Sequence, residues 1–405
     1  MTYVATQLPE LASLDPARQH RSERLRRQIC AAIDVAGGVI PFSQFMDSAL
    51  FEPGLGFYAS DTPPIGPAGG FWTAPEMGPL FARCLTSPCR QVLETLAGGD
   101  IMEVGAGTGA LARDLMLALD AQHTDQREAL PGEYRILERS ETLRTVQQRT
   151  LAELPAHLRD RFRWIDVALP MRGVVIANEV IDALAVDRFE VVDGAPRPLG
   201  VAHDGADFRW QLLDGDDAAE AKWFASIQPE LFGPLPDGYR SERCRTLNQA
   251  LEAFCGPLER GVALFVDYGY LRSNYYHPQR TDGTLMCHFE HQAHADPFAL
   301  VGLQDLTASV DFTALAAHAR AQAMTVAGYS SQTWFLLGCG LEKILSDVAA
   351  GSPLPLGAVQ AAKRLLMPNE MGERVHALAL AREFTRPLDA FALRDLRQRL
   401  EPTTG

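Results

Sequence analysis

The stretch IMEVGAGTGALARDL, residues 101–115, decides the fold. A short apolar run leads directly into glycines and then into a helical pattern, which is the order of a strand, a tight turn and a helix. Gly105, Gly107 and Gly109 carry no side chain where the backbone must bend and approach a ligand closely. The free N–H groups and the positive dipole end of the following helix suit a polar ligand. The stretch therefore predicts a nucleotide-type binding turn at the carboxyl end of a strand.

Two classes of ligand compete for this turn, beside a plain glycine-rich turn without a ligand. The pattern from Gly105 to Ala110 satisfies the dinucleotide fingerprint, whose third position accepts Ala. The same residues spell E-x-G-x-G-x-G, which resembles motif I of class I S-adenosylmethionine (SAM) methyltransferases. Glu103 separates the two, because a carboxylate repels a pyrophosphate and attracts a sulfonium and an amino group. SAM is the predicted cofactor, and an NAD(P)-dependent oxidoreductase is an alternative.

Strand and helix patterns alternate around and after this turn. The predicted strands are 100–104, 134–137, 162–165, 173–177 and 262–266. The predicted helices between them include 110–119 and 141–151. Short apolar strands separated by helices predict a mostly parallel sheet with helices on both faces, in the α/β class. A strand at 376–383 is predicted to close the sheet, whereas the charged, Gly- and Pro-rich residues 196–250 indicate an insertion.

Composition and charge narrow the function and the location. A net charge of −14 argues against an extended nucleic-acid footprint, which needs clustered Lys and Arg. The seven cysteines are scattered, which is typical of buried thiols in a reducing compartment. The N-terminus lacks the apolar core of a secretory signal, and no apolar run is long enough for a membrane span. These features predict a soluble cytoplasmic protein.

Further acidic residues follow the predicted strands. Glu138 ends the strand after the glycine turn, where a carboxylate can accept both ribose hydroxyls. Asp166 ends the next strand, and it resembles the acid that contacts the adenine amino group in these methyltransferases. Both are predicted cofactor-binding residues, together with Glu103 and the three glycines.

The buried strand 173–177 leads into a polar cluster, Asn178, Glu179 and Asp182. Ligands of open α/β sheets bind beyond the carboxyl ends of the strands, so this cluster would face the cofactor. SAM supplies an activated methyl group, and the protein must position a nucleophile and remove its proton where necessary. Two carboxylates can also hold a guanidinium. We predict the three residues to be catalytic; the less favoured alternative is that Glu179 and Asp182 merely cap the next helix.

Predicted substrate contacts come from three other places. Asp267 and Tyr268 end the strand at 262–266, and Thr73 and Glu76 lie in GGFWTAPEMGPL, residues 69–80, a predicted lid. Two further predicted contacts, His288 and His291, lie in GTLMCHFEHQAHADP, residues 283–297. With His294 they form a series of histidines three residues apart. This spacing invites a metal site, but residues at i, i+3 and i+6 do not converge on one point in a helix or a strand. We therefore predict no metal, and expect His288 and His291 to contact the substrate.

Several motifs together resemble one family. They are FMDSALFEPGLGFYAS, FWTAPEMGPLF, EVGAGTGAL, NEVIDALAVDRF, DYGY, GTLMCHFEHQAHADPF, DLTASVDFTAL and MGERVHALAL, in this order. The chain resembles the MidA-type family of SAM-dependent methyltransferases, which includes a mitochondrial protein-arginine methyltransferase that assists the assembly of respiratory complex I. The resemblance implies a class I (Rossmann-like) core, a protein substrate and methylation of an arginine nitrogen. It leaves open whether the chain is a homodimer.

The resemblance also implies a division of the chain. We expect an N-terminal helical and lid region at 1–95, the SAM-binding half of the core at 96–195 and an insertion at 196–255. Residues 256–405 would complete the core with substrate elements and a C-terminal strand. A different class of function is a non-catalytic assembly factor that keeps the fold and acts by binding a partner.

Overall fold

The chain forms two compact units, each assembled from three separate segments. The computed structural model describes residues 8–60, 73–121, 130–205, 207–214, 217–349 and 356–401. The central-sheet unit takes its described residues from Trp72–Ile181, Asn248–Gly269 and Phe312–Gly405. The antiparallel unit takes them from Met1–Phe71, Asp182–Leu247 and Tyr270–Asp311. These units cut across the predicted division, because residues far apart in the sequence pair in each of them.

The described strands and helices are numbered in chain order. The strands are β1 Ile40–Pro41, β2 Asp100–Val104, β3 Tyr134–Leu137, β4 Phe162–Ile165, β5 Met171–Asn178, β6 Asp187–Val192, β7 Ala195–His203, β8 Phe208–Leu212, β9 Arg240–Arg243, β10 Leu258–Tyr270, β11 Met286–Phe289, β12 Gln292–His294, β13 Asp305–Thr307, β14 Val310–Asp311, β15 Thr325–Ser331 and β16 Val375–Arg382. The helices are α1 Pro16–Val35, α2 Phe42–Phe51, α3 Leu80–Thr95, α4 Ala110–Ala121, α5 Glu141–Ala152, α6 Ala156–Arg159, α7 Asp217–Ile227, α8 Leu247–Cys255, α9 Arg272–Tyr275, α10 Phe312–Ala321, α11 Gln332–Gly338, α12 Leu341–Ala349 and α13 Leu356–Leu366.

The central-sheet unit contains the predicted α/β sheet. Its strands follow the order β15-β16-β10-β5-β2-β3-β4. The pairs from β10 to β4 are parallel, whereas β16 runs antiparallel to both β10 and β15. Residues of α3, α4, α11 and α13 join the strands in one buried core. The predicted fold class, a mostly parallel methyltransferase-type sheet, is confirmed.

The strand order places a crevice beside β2. The chain passes from β2 to β3 on one side, and β5 fills the place on the other side. In doubly wound sheets, such a reversal leaves a crevice at the carboxyl ends of the strands, where ligands bind. The glycine turn, Glu138 and the Asn178–Glu179 pair all follow strands that end at this edge.

The antiparallel unit contains a sheet that the sequence did not predict. Strands β1, β7, β6 and β9 are neighbours in this order, and β8 pairs with β7. Every one of these pairings is antiparallel. The predicted insertion at 196–255 therefore includes strands that pair with β1 near residue 40, and its apolar residues pack with those of α1 and α2.

The histidine segment of this unit is a β-hairpin. β11 pairs with β12 and with β13 in a separate antiparallel sheet. Glu290 and His291 form the two-residue connection, with φ of 44° and 66°. Two positive φ values are typical of the type I′ turn, whose twist matches that of the two strands.

Candidate active site

The glycine turn after β2 is a closed bend. Gly105, Gly107 and Gly109 have φ of 62°, 53° and 84°, which are values that glycine adopts without strain. The Gly105 N–H donates to the Leu137 carbonyl at 2.9 Å, so the turn is attached to the end of β3. A Cβ atom on Gly109 would lie 3.3 Å from Gln147 Cα, so glycine is also required there for close packing. The turn therefore leaves its backbone accessible at the start of α4, as the cofactor prediction requires.

Glu103 lies under this turn, inside the unit. Its side chain is 2% exposed, and its Oε2 accepts a hydrogen bond of 2.7 Å from the Tyr134 hydroxyl. Burial raises the pKa of Glu103 to about 7, an effect that the Tyr134 hydrogen bond opposes and the nearby Glu138 reinforces. The charge of this carboxylate therefore changes near neutral pH, and its attraction for a cationic ligand changes with it.

Glu138 at the end of β3 is held by N–H donors that include the backbones of Arg139 and Ser140 and the side chain of Gln147. Its Oε1 accepts from the Ser140 backbone at 2.9 Å, and its Oε2 accepts from Gln147 Nε2 at 3.0 Å. Burial raises the pKa of Glu138, and these hydrogen bonds and the charge of Arg144 oppose this rise. A carboxylate has about four acceptor sites, so Glu138 keeps acceptor capacity for a ribose hydroxyl. Sequence reasoning missed Gln147, although it lies between Leu143 and Leu151 on the apolar stripe of α5, where a polar residue is unusual.

Asp166 is placed near this group but is engaged by an arginine. Its side chain is 84% exposed and accepts from Arg144 Nη2 at 2.5 Å. Arg144 also donates to the carbonyls of Glu138 at 2.8 Å and Ile165 at 3.2 Å, so it joins the ends of β3 and β4. The contact of Asp166 with adenine stays a prediction.

The catalytic candidates Asn178 and Glu179 lie at the end of β5. Glu179 has φ of 51°, a conformation that is unfavourable for a residue with a side chain and that often marks functional sites. Its Oε1 accepts from the Ala74 backbone at 3.2 Å and from Asn178 Nδ2 at 3.3 Å. Asn178 Oδ1 is buried and has no hydrogen-bond partner among the described residues. This edge therefore combines a carboxylate with an acceptor that awaits a donor.

The described end of the predicted lid lies against the glycine turn. Residues 74–77 form a short 3₁₀ helix, in which Glu76 accepts a hydrogen bond from the Thr108 hydroxyl. Thr73 begins this helix without a side-chain cap, and its carbonyl accepts from the Glu76 N–H at 3.1 Å. Residues 61–72, which include the first part of the lid, lie outside the described residues. The structure thus joins Glu76 and Glu179 to the predicted cofactor turn.

Asp267 is buried and bonded to the backbone of the turn that carries Glu179. Its side chain is 1% exposed. Oδ2 accepts from the backbone N–H groups of Val180 at 3.2 Å and Ile181 at 2.9 Å, and Oδ1 accepts from that of Tyr268 at 2.7 Å. This carboxylate therefore fixes the turn that carries Glu179, and substrate contact by Asp267 stays a prediction. Tyr268 is partly buried and packs against the core of the unit.

Asp182 belongs to the antiparallel unit, where it is buried close to a second carboxyl group. Burial raises the pKa of Asp182 and of Asp305, and the charge of Asp182 raises the pKa of Asp305 further. Tyr58 donates a hydrogen bond that favours the ionised form of Asp305, but burial dominates. Burial therefore favours the protonated form of both carboxyl groups.

The two histidine candidates differ in their environment. Burial lowers the pKa of His288 to about 4, and His294 adds to the effect, so His288 is neutral at physiological pH. His291 is exposed in the hairpin turn. Within the described ranges, no group of three or more His, Cys, Asp or Glu side chains is arranged to hold a metal ion. Substrate contact by either histidine stays a prediction.

Comparisons with known proteins agree with this geometry. Residues 81–330 match a family described as putative S-adenosyl-L-methionine-dependent methyltransferases. The chain belongs to this family. A crystal structure of a "likely methyl transferase" from Burkholderia thailandensis, bound to S-adenosylhomocysteine, is 36% identical over 96% of this chain and 99% of the other, with a TM-score of 0.88. The SAM-dependent methyltransferase predicted from the sequence is thus confirmed, with SAM as its cofactor.

Curated relatives of this methyltransferase are named protein arginine methyltransferase NDUFAF7, mitochondrial. The rat protein is 26% identical over 90% of this chain and 86% of its own length. The Danio rerio protein is also 26% identical, over 84% of this chain and 83% of its own. Because these relatives are mitochondrial, the predicted cytoplasmic location is wrong. No helix in the described part of the methyltransferase has the length and apolar character of a membrane span.

The residues at the carboxyl edge of the central sheet suit SAM. The glycine turn has no side chains between its backbone and a ligand, and Glu138 presents a buried carboxylate with free acceptor capacity. Asn178 Oδ1, for which the described residues supply no donor, lies at the same edge of the sheet and is suited to an amino or guanidino N–H. When bound, SAM supplies a methyl group that its sulfonium has already activated.

Proposed function

We propose that this methyltransferase modifies a protein side chain, an arginine nitrogen. The observation that carries the proposal is the pair of acceptors at the end of β5: the Glu179 carboxylate and Asn178 Oδ1, which receives no hydrogen bond within the described part of the chain. A guanidinium carries only donors and a permanent charge, so these two groups complement it. The names of the curated relatives support the same class of substrate.

The proposed role of Glu179 is to position the guanidinium and to favour the loss of its proton during transfer. The strained backbone of Glu179 and its contact with the Ala74 N–H hold the carboxylate in one orientation. A preorganised carboxylate lowers the barrier because it needs no rearrangement when the nitrogen attacks.

The proposal is tested with SAM that carries a labelled methyl group and an extract of cells lacking this protein. We expect the label on arginine side chains of one or a few proteins, identified by mass spectrometry. Label on a lipid, a nucleic acid or another side chain would overturn the proposed substrate class.

A substitution tests the role of Glu179 separately. Glu179→Gln keeps the size of the side chain and removes its charge, so we expect transfer to fall about 100-fold or more. S-adenosylhomocysteine should still bind within about twofold of the wild-type affinity, since Glu179 is proposed to act on the acceptor. Glu141→Gln on the exposed start of α5 is the matched control and should change neither quantity.

A further inference from the structure

Gln147 connects three parts of the proposed cofactor site. It lies on α5 and is completely buried, at 0% exposure. Its Nε2 donates to the Gly107 carbonyl at 3.0 Å and to Glu138 Oε2 at 3.0 Å. Its Oε1 accepts from the Trp164 indole at 3.0 Å. One side chain thus joins the glycine turn, the end of β3 and the end of β4.

The partners of Gln147 fix the orientation of its amide. The Trp164 indole can only donate, so it requires the oxygen of the amide. The Gly107 carbonyl and the Glu138 carboxylate only accept, so they require both hydrogens of the nitrogen. No other uncharged side chain of this length supplies two donors and an acceptor at once, so the position demands glutamine.

The backbone of the turn also rests directly on this residue. A Cβ atom on Gly109 would meet Gln147 Cα at 3.3 Å and its Cβ at 3.6 Å. The packing of Gln147 therefore sets how close the turn comes to α5, while its amide sets how far the turn lies from Glu138. Both distances matter to a ligand that bridges the turn and the carboxylate.

We infer that Gln147 is a positioning residue for SAM: it holds the glycine turn and the Glu138 carboxylate at the separation that the cofactor spans. It acts through these groups, since its own side chain is sealed from solvent. The inference rests on the proposed role of Glu138 toward the ribose, but not on the identity of the methyl acceptor. The inference adds α5 to a site whose other residues follow the ends of strands.

The test is calorimetric binding of S-adenosylhomocysteine to the full chain from pH 5.5 to pH 8.5. In Gln147→Glu, the protonated acid keeps one donor and one acceptor, whereas the ionised acid faces the Glu138 carboxylate and the Gly107 carbonyl. We expect its dissociation constant, relative to wild type at each pH, to rise from near unity at pH 5.5 to about tenfold or more at pH 8.5. Tenfold corresponds to about 1.4 kcal/mol.

Two further variants complete the test. Gln147→Met keeps the volume without the hydrogen bonds, so its weakening of about tenfold should not depend on pH. It also keeps the test decisive if the ionised Gln147→Glu protein unfolds. Gln148→Glu, one residue along and exposed, is the matched control and should bind as wild type.

Wild-type binding by a folded Gln147→Met protein, or a weakening by Gln147→Glu that is equal at every pH, would overturn the inference. The proposed substrate fails independently: a protein that binds S-adenosylhomocysteine with this pH pattern but methylates no arginine refutes the substrate and leaves Gln147 in its role.

Discussion

Asp267→Asn should destabilise the turn that carries Glu179, and the structure gives the size of the effect. The wild-type carboxylate accepts three backbone N–H groups, two on Oδ2 and one on Oδ1. Asparagine replaces one acceptor oxygen with a donor. In its better orientation it keeps the bonds to Val180 and Ile181, and it leaves the Tyr268 N–H facing a donor. One charge-assisted hydrogen bond is lost and the other two become neutral hydrogen bonds, so the free energy of unfolding should fall by about 2–4 kcal/mol in total.

The assay is urea unfolding of the purified protein, followed by tryptophan fluorescence at constant pH. The midpoint should fall by an amount that corresponds to this loss, while the slope stays unchanged. Asp237→Asn is the control, because exposed Asp237 accepts one bond of 2.9 Å from Gly194, which an amide oxygen can keep. A free energy of unfolding of Asp267→Asn within about 0.5 kcal/mol of the control would refute the capping argument, since such a value is typical of neutral surface changes.

Three other predictions concern pH and the lid. Since burial raises the pKa of Glu103 to about 7, calorimetry should show wild-type SAM affinity increasing from pH 6 to pH 8, and Glu103→Gln should flatten this rise; a flat wild-type profile would contradict it. Thr108→Val removes the hydroxyl that donates to Glu76, and the lost hydrogen bond of about 1 kcal/mol should raise the KM for SAM about fivefold. An unchanged KM would show that this contact of the lid does not contribute to SAM binding. The folded-state pKa of Asp305 is raised to about 8, above its ordinary value, so the neutral acid stabilises the fold at low pH and this contribution is lost as the pH rises through 8. Calorimetric unfolding should therefore show the wild-type Tm falling more steeply than that of Asp305→Asn between pH 6 and pH 9, and parallel profiles would exclude the effect.

The central sheet was predictable because its signals are local. Residues 100–104, 134–137 and 162–165 are short apolar runs bounded by turn residues, and the structure has strands with these same bounds. The turn was also predictable from the sequence, because glycine is the residue that adopts its positive φ values without strain. Here local preference and the final fold agree.

The rest depended on contacts between distant residues. The two-residue strand β1 carries no periodicity, and it becomes a strand only because β7, some 160 residues later, pairs with it. Asp267 looks like any acid after a strand, and its three backbone partners are visible only in the fold. Gln147 has no motif, because its importance comes from partners on three different elements.

The central position of β10 also has a consequence for synthesis of the chain. β5 covers one edge of this strand, but β16, which covers the other, begins more than 100 residues later, at Val375. A nascent chain that has just completed β10 therefore exposes a long row of unpaired backbone groups beside apolar side chains. Such an edge readily pairs with other chains. The methyltransferase is thus vulnerable to aggregation from the completion of β10 until β16 has been made, which is when chaperones would protect it.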